Sequence, residues 1–346
     1  MIASRWMKRG IAFLNTNTPA SLSDSLRCFE RAIELRRSLP LDENSWYRYV
    51  LAAGWMNRGD ALTRLGATGN LAEAVRSFDE ALVQLRTLDL ESDSRFRARL
   101  ALAWMNRGLA WQAQGTPGSL RAALASFDEA IVALRDPAAL EFAQNRSILA
   151  CSLANRGNAL LRLTPPAPGR ARKSVEQALD LIAGSEEKDL LAGETGLKAR
   201  HILCKALAAQ LADRDFAIAR DDLVAAATDA ADEGMKLARH WEARGERRFR
   251  DLASELFRFG ARVYQLHQSH FLPEFLLENL DPSHSPDAFP VDPKMHATAG
   301  EAIDGAFSEL QREGFRSLNT PFFDRFLKTI RELRTTQTRL DELRTA

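Results

Sequence analysis

One eight-residue phrase sets the terms on which this chain can fold. It reads WMKRGIAF from Trp6, WMNRGDAL from Trp55, WMNRGLAW from Trp104 and LANRGNAL from Leu153, each opening 49 residues after the last. Repetition at a fixed period of this size means that one supersecondary unit is stacked on itself. A second phrase follows the first each time: CFERAIEL from Cys28, SFDEALVQL from Ser77, SFDEAIVAL from Ser126 and SVEQALDLI from Ser174. At about 100° per residue, Trp55, Gly59 and Leu62 share one helical face, and Ala74, Phe78 and Ala81 share another. Breaker-rich stretches at 15–20, 66–70, 115–119 and 164–169 separate the two helices. Each unit is therefore predicted as helix, turn, helix. Gly59 and Ala81 remove bulk where the helices meet, and Trp55 and Phe78 fill the space beside that contact. A lone hairpin cannot bury both of its faces, so the units must stack.

Read in these residues, the chain resembles the tetratricopeptide repeat family. The signature of Trp, Gly four later, then Ala-x3-Phe-x2-Ala is met by Trp55, Gly59, Ala74, Phe78 and Ala81, and again by Trp104, Gly108, Ala123, Phe127 and Ala130. The first unit has Ser25 at the first Ala, and the fourth has Leu153 for Trp and Val175 for Phe. Two departures stand out: a turn read as about three residues longer than the family's, and a period of 49 against about 34. Segments upstream of Trp55 and Trp104 continue the helical pattern and take up the surplus. The resemblance implies an all-α fold, a right-handed superhelix of helical hairpins with a concave groove.

We divide the chain into four hairpins over 1–183, a degenerate fifth over 184–240, and a Phe-rich helical region over 241–346. Eleven of the 18 phenylalanines lie after residue 248, so that region is predicted to form its own aromatic core and cap the array. Helices are expected there at 246–271, 298–313 and 321–344. The last carries Phe323, Phe326, Ile330, Leu333 and Leu340 in a stripe that suits either packing on preceding helices or dimerisation.

Composition argues against several functions. Lys plus Arg and Asp plus Glu number 47 and 46, so no whole-chain field points at nucleic acid or an anionic membrane. No stretch nears 18 uncharged apolar residues, no leader is evident, and Cys28, Cys151 and Cys204 form no CxxC motif. A cytoplasmic protein with reduced core thiols is the expectation. His267 and His270, with His240 and Glu274 nearby in sequence, lack the spacing of a helical zinc motif. No phosphate loop or nucleophile elbow appears. We therefore expect no enzyme activity, cofactor or metal.

The expected function is a scaffold or adaptor that holds a peptide segment or partner protein in the concave groove. An alternative is a regulatory subunit whose C-terminal helical region carries the partner site. On the helical wheel Asn57 points about 200° away from Trp55, towards the inside of the array or towards solvent, and Asn106 and Asn155 repeat it at the same period. Lys8 takes this position in the first unit and Cys204 in the fifth. The resemblance implies an asparagine ladder for a peptide backbone, and the polar residues at neighbouring groove positions, Asp60, Thr63, Arg64, Gln112, Asn158 and Arg162, suit such a lining. Finally, Arg9, Arg58, Arg107 and Arg156 precede the unit glycine, and Glu30, Asp79, Asp128 and Glu176 follow the Phe/Val position. Ion pairs within or between units are expected from them, and the four turns are expected along one rim.

Overall fold

The computed structural model describes residues 2–212 and 220–246, together with Phe249, Ala253 and Leu256. Those residues form helices and no β-strand: α1 (Ile2–Thr16), α2 (Pro19–Arg37), α3 (Ser45–Leu65), α4 (Thr68–Leu85), α5 (Ser94–Gln114), α6 (Pro117–Ala133), α7 (Ala143–Leu161), α8 (Pro168–Ile182), α9 (Leu190–Ala212) and α10 (Arg220–Ala243). The chain divides into two compact units, Met1–Ile182 and Ala183–Ala346. In the first, α1–α2, α3–α4, α5–α6 and α7–α8 pack as hairpins, and each hairpin packs on the next. The all-α hairpin array is as the sequence predicts.

Local chemistry sets the helix ends. Asn44 and Asp93, 49 residues apart, each accept a hydrogen bond from the backbone N–H two residues on and start α3 and α5. The extra helical turns expected upstream of Trp55 and Trp104 are therefore present. The turn inside three of the hairpins differs from expectation. It is two residues long in three units, Asn17–Thr18, Gly66–Ala67 and Gly115–Thr116. Asn17, Gly66 and Gly115 take φ of 54°, 71° and 73°, the left-handed conformation that ends a helix. Thr18 and Thr116 then cap the second helix in reciprocal bonds with Ser21 and Ser119, with Pro19 and Pro117 at its first position. Residues with loop composition are thus the first turn of a helix. The surplus of the period lies in the long first helices and in the connections between units, including a 3-10 turn at Pro137–Glu141.

Glycine and phenylalanine govern the hairpin contact. A Cβ at Gly10, Gly59 or Gly108 would stand 2.5, 2.7 or 2.5 Å from the ring of Phe29, Phe78 or Phe127, all three rings being fully buried. Ser25, at an alanine position, is tolerated in the core because its hydroxyl donates to the Leu22 carbonyl of its own helix.

An arginine clasp joins the units. Arg58, Arg107 and Arg156 each donate to a serine hydroxyl on the second helix of their own hairpin, Ser77, Ser126 and Ser174, at 2.7, 2.8 and 2.6 Å. Each also binds a carboxylate on the second helix of the preceding hairpin: Glu30 at 3.2 Å, Asp79 at 2.7 Å and Asp128 at 2.6 Å. The expected ion pairs therefore form between neighbouring units. Arg9 of the first hairpin lies over the rings of Trp6 and Phe13. Glu176 pairs with Arg172 on its own helix. Arg37 and Arg86, also 49 apart, cover Trp55 and Trp104 of the following unit.

Because the carboxylates are about half exposed, the clasp contributes modestly. Arg107→Met is expected to lower the unfolding free energy by about 1–2 kcal/mol, and a double-mutant cycle with Asp79→Asn should give a coupling of about 0.5–1 kcal/mol. Zero coupling in urea titrations would show that the pair stabilises nothing.

In the second unit α9 packs against α10. Gly193 and Gly196 let the segment 184–189 lie close to α9. A Cβ at Gly196 would meet the Glu186 carboxylate, and one at Gly193 would meet the Trp241 indole. The Trp241 Nε1–H donates to the Glu186 carbonyl at 2.9 Å. Arg200, nearly buried, binds Glu186 and reaches Glu233 at 3.2 Å. Burial alone would lower its pKa, but the hydrogen bonds and charges of the two carboxylates outweigh that and leave it raised.

Candidate functional site

The first helices of successive hairpins also touch one another, α1 with α3, α3 with α5 and α5 with α7, while no two second helices approach as closely. The array therefore bends towards its first helices, and their solvent side is the inner face. Residues reach this face at helical spacing: Trp46, Val50, Ala53, Asn57, Asp60 and Arg64 on α3, with the same register on α5 and α7.

Asn57, Asn106 and Asn155 are all half-buried on this face, and their carboxamides make no hydrogen bond among the described residues. Each sits beside a clasp arginine, which fixes the helix but leaves the asparagine free. Lys8 is exposed at the same position of α1. In the second unit the register changes. Cys204 is fully buried and contacts the Ala227 carbonyl of α10, so the ladder position does not reach a surface there.

Most of the other residues proposed to line the groove also make contacts within the scaffold. Arg64 is held by Asp60 at 3.0 Å and donates to the Leu14 carbonyl near the end of α1 at 3.3 Å. Arg162 donates to the Gln112 carbonyl near the end of α5 at 3.1 Å. Both place a cation where the preceding helix leaves carbonyls without intrahelical partners. These bonds also set the turn ends of neighbouring hairpins side by side, as a common rim requires. Thr63 donates to the Gly59 carbonyl of its own helix at 2.8 Å. Gln112 is buried, and its side-chain oxygen has no partner. Asn158 is half-buried.

Sequence reasoning missed the other end of the face. Trp46, 41% exposed, stacks on Tyr49 at 4.8 Å between ring centroids, with Arg95 of α5 over its ring. Arg99 lies over Tyr49 and donates to its hydroxyl at 2.8 Å. Counting back from Asn57 by seven and eleven residues would have found Val50 and Trp46.

No described residues gather three His, Cys, Asp or Glu side chains that could hold a metal ion, and no described helix is long and apolar enough to cross a membrane. The Nε2 of His240 lies 2.9 Å from the Glu187 carbonyl. His267, His270 and Glu274, the predicted C-terminal helices and the Phe323–Leu340 stripe lie outside the described residues. Cys28, Cys151 and Cys204 form no disulfide; burial raises the Cys28 thiol and pushes Cys204 up to about 12. Half-buried Cys151 lies on the inner face, one helical turn before Asn155. No family model matches the chain, and no curated protein matches it.

Proposed function

We propose that the protein is a non-catalytic scaffold or adaptor of the tetratricopeptide type, which holds an extended segment of a partner protein along the inner face of its first four hairpins. One observation carries this reading: three carboxamides in register on successive first helices, half-buried and uncommitted, beside clasps that hold the helices in place. A carboxamide both donates and accepts, so each asparagine suits a peptide N–H or C=O whatever the side chains. The helices are fixed before binding, which reduces the ordering cost.

The reading is tested with a partner recovered by pull-down from the native cell. Replacing Asn57, Asn106 and Asn155 together by alanine should weaken binding by roughly 30- to 100-fold, at about 1 kcal/mol or less per lost hydrogen bond, with the helical circular dichroism unchanged. In the wild type, bound partner should also slow alkylation of Cys151. Unchanged affinity and unprotected Cys151 would remove the inner face as the binding surface.

A further inference from the structure

Although the chain as a whole is nearly neutral, the inner face is not. Its stripe positions on α1, α3, α5 and α7 carry five cations, Lys8, Arg64, Arg95, Arg99 and Arg162, against one carboxylate, Asp60. The arginines are also aimed. Arg64 reaches back to α1, Arg95 and Arg99 to α3, and Arg162 to α5, so each is held across a seam between first helices. Arg64 and Arg95 have carboxylate partners in Asp60 and Asp93. Lys8, Arg99 and Arg162 have none among the described residues, whereas the clasps to the second helices of the preceding hairpins are matched acid for base. Guanidinium groups held by a single hydrogen bond keep further N–H donors for a ligand.

We infer that the segment taken by this face is acidic; the inference rests on the inner-face reading above and specifies its partner. Between the cations, half-buried Val50, Leu102 and Leu109 and exposed Ile11 supply apolar footing, so the segment also bears apolar side chains. Packed helices lie about 8–10 Å apart, and an extended chain advances about 3.3 Å per residue. One first helix therefore answers about three residues, and four helices answer a segment of about ten. The occupant is an extended stretch of a partner protein with a carboxylate about every third residue and apolar residues between. The apolar footing and the carboxamides, which suit a peptide backbone, favour protein over RNA.

The test selects from displayed peptides of 12 random residues on the full-length chain. Wild type should enrich sequences rich in Asp and Glu. Arg99→Glu combined with Arg162→Glu should weaken the selected peptides by roughly tenfold or more and enrich Lys and Arg in a fresh selection, with unfolding curves confirming that the variant is folded. Enriched peptides with no acidic bias that are nevertheless lost in the Asn57, Asn106 and Asn155 alanine variant would overturn the charge inference and spare the inner-face reading. Peptides indifferent to that variant would overturn both. A photo-crosslinker at Asn106 that captures the chain itself, or an RNA ten-mer that displaces the selected peptides, would also overturn the proposal.

Discussion

Gly108→Val is expected to lower the unfolding free energy by about 3 kcal/mol or more, and Phe127→Ala by about 3–5 kcal/mol. The two changes damage one contact from opposite sides. Any Cβ at position 108 stands 2.5 Å from the Phe127 ring, and that ring is 0% exposed, so it has nowhere to retreat. Removing the ring leaves a cavity walled by helices that the clasps and neighbouring hairpins hold apart. The effects should therefore not add: Gly108→Ala costs much less in a Phe127→Leu background than in the wild type. Gly69 is the control. It lies in the first turn of α4 with nothing within 4 Å of an added Cβ, and Gly69→Ala should leave stability unchanged or raise it by up to about 1 kcal/mol. Urea unfolding reads all of these, and additive costs at 108 and 127 would refute the contact as the cause.

That contact is legible in the sequence, because Gly and Phe recur at one period and each demands the other. Repetition made the clasp partly legible as well. Arginine and acid recur, but only packing decides that the acid belongs to the preceding hairpin. The serine that completes the clasp was invisible, since a hydroxyl at Ser77 or Ser126 reads as an ordinary helix-surface residue. Turn length was misread for a specific reason. Thr-Pro-Gly at 116–118 has loop composition, yet threonine, proline and serine are also what a helix start requires, and composition does not separate the two uses. The polar residues around the ladder were legible only in part. Wheel position puts Arg64 and Arg162 in the stripe of Asn57 and Asn155, but their bonds to the preceding helix depend on a neighbour 50 residues away. The fifth pair lost its register because nothing in the ILCKA phrase at 202–206 marks which face Cys204 takes.

Arg200→Met is the second large effect, with an expected loss of about 3 kcal/mol. Its side chain and that of Glu186 are 10% and 14% exposed, so removing the cation strands a carboxylate that water scarcely reaches. Glu233, 61% exposed, can be rehydrated and adds little. The stranded charge, more than the lost attraction, dominates the loss. Arg200→Met combined with Glu186→Gln should therefore recover at least half of the stability. A double variant as unstable as the sum of its parts would show that packing of the arginine stem around Gly196 sets the cost instead.

The clasp runs in one direction, each hairpin's arginine gripping the acid of the hairpin before it. An interlock of that kind has a plug at one end and a socket at the other, and identical molecules that expose both can join head to tail into open filaments. In the first unit the groups at both ends have contacts of their own. Arg9 has Cys28 where the later units keep a serine, and its charge rests on Trp6 and Phe13. At the other end of the first unit Glu176 is matched by Arg172 of its own helix. Within the first unit, the groups at which the clasp would continue, Arg9 and Glu176, are thus each engaged inside their own hairpin instead.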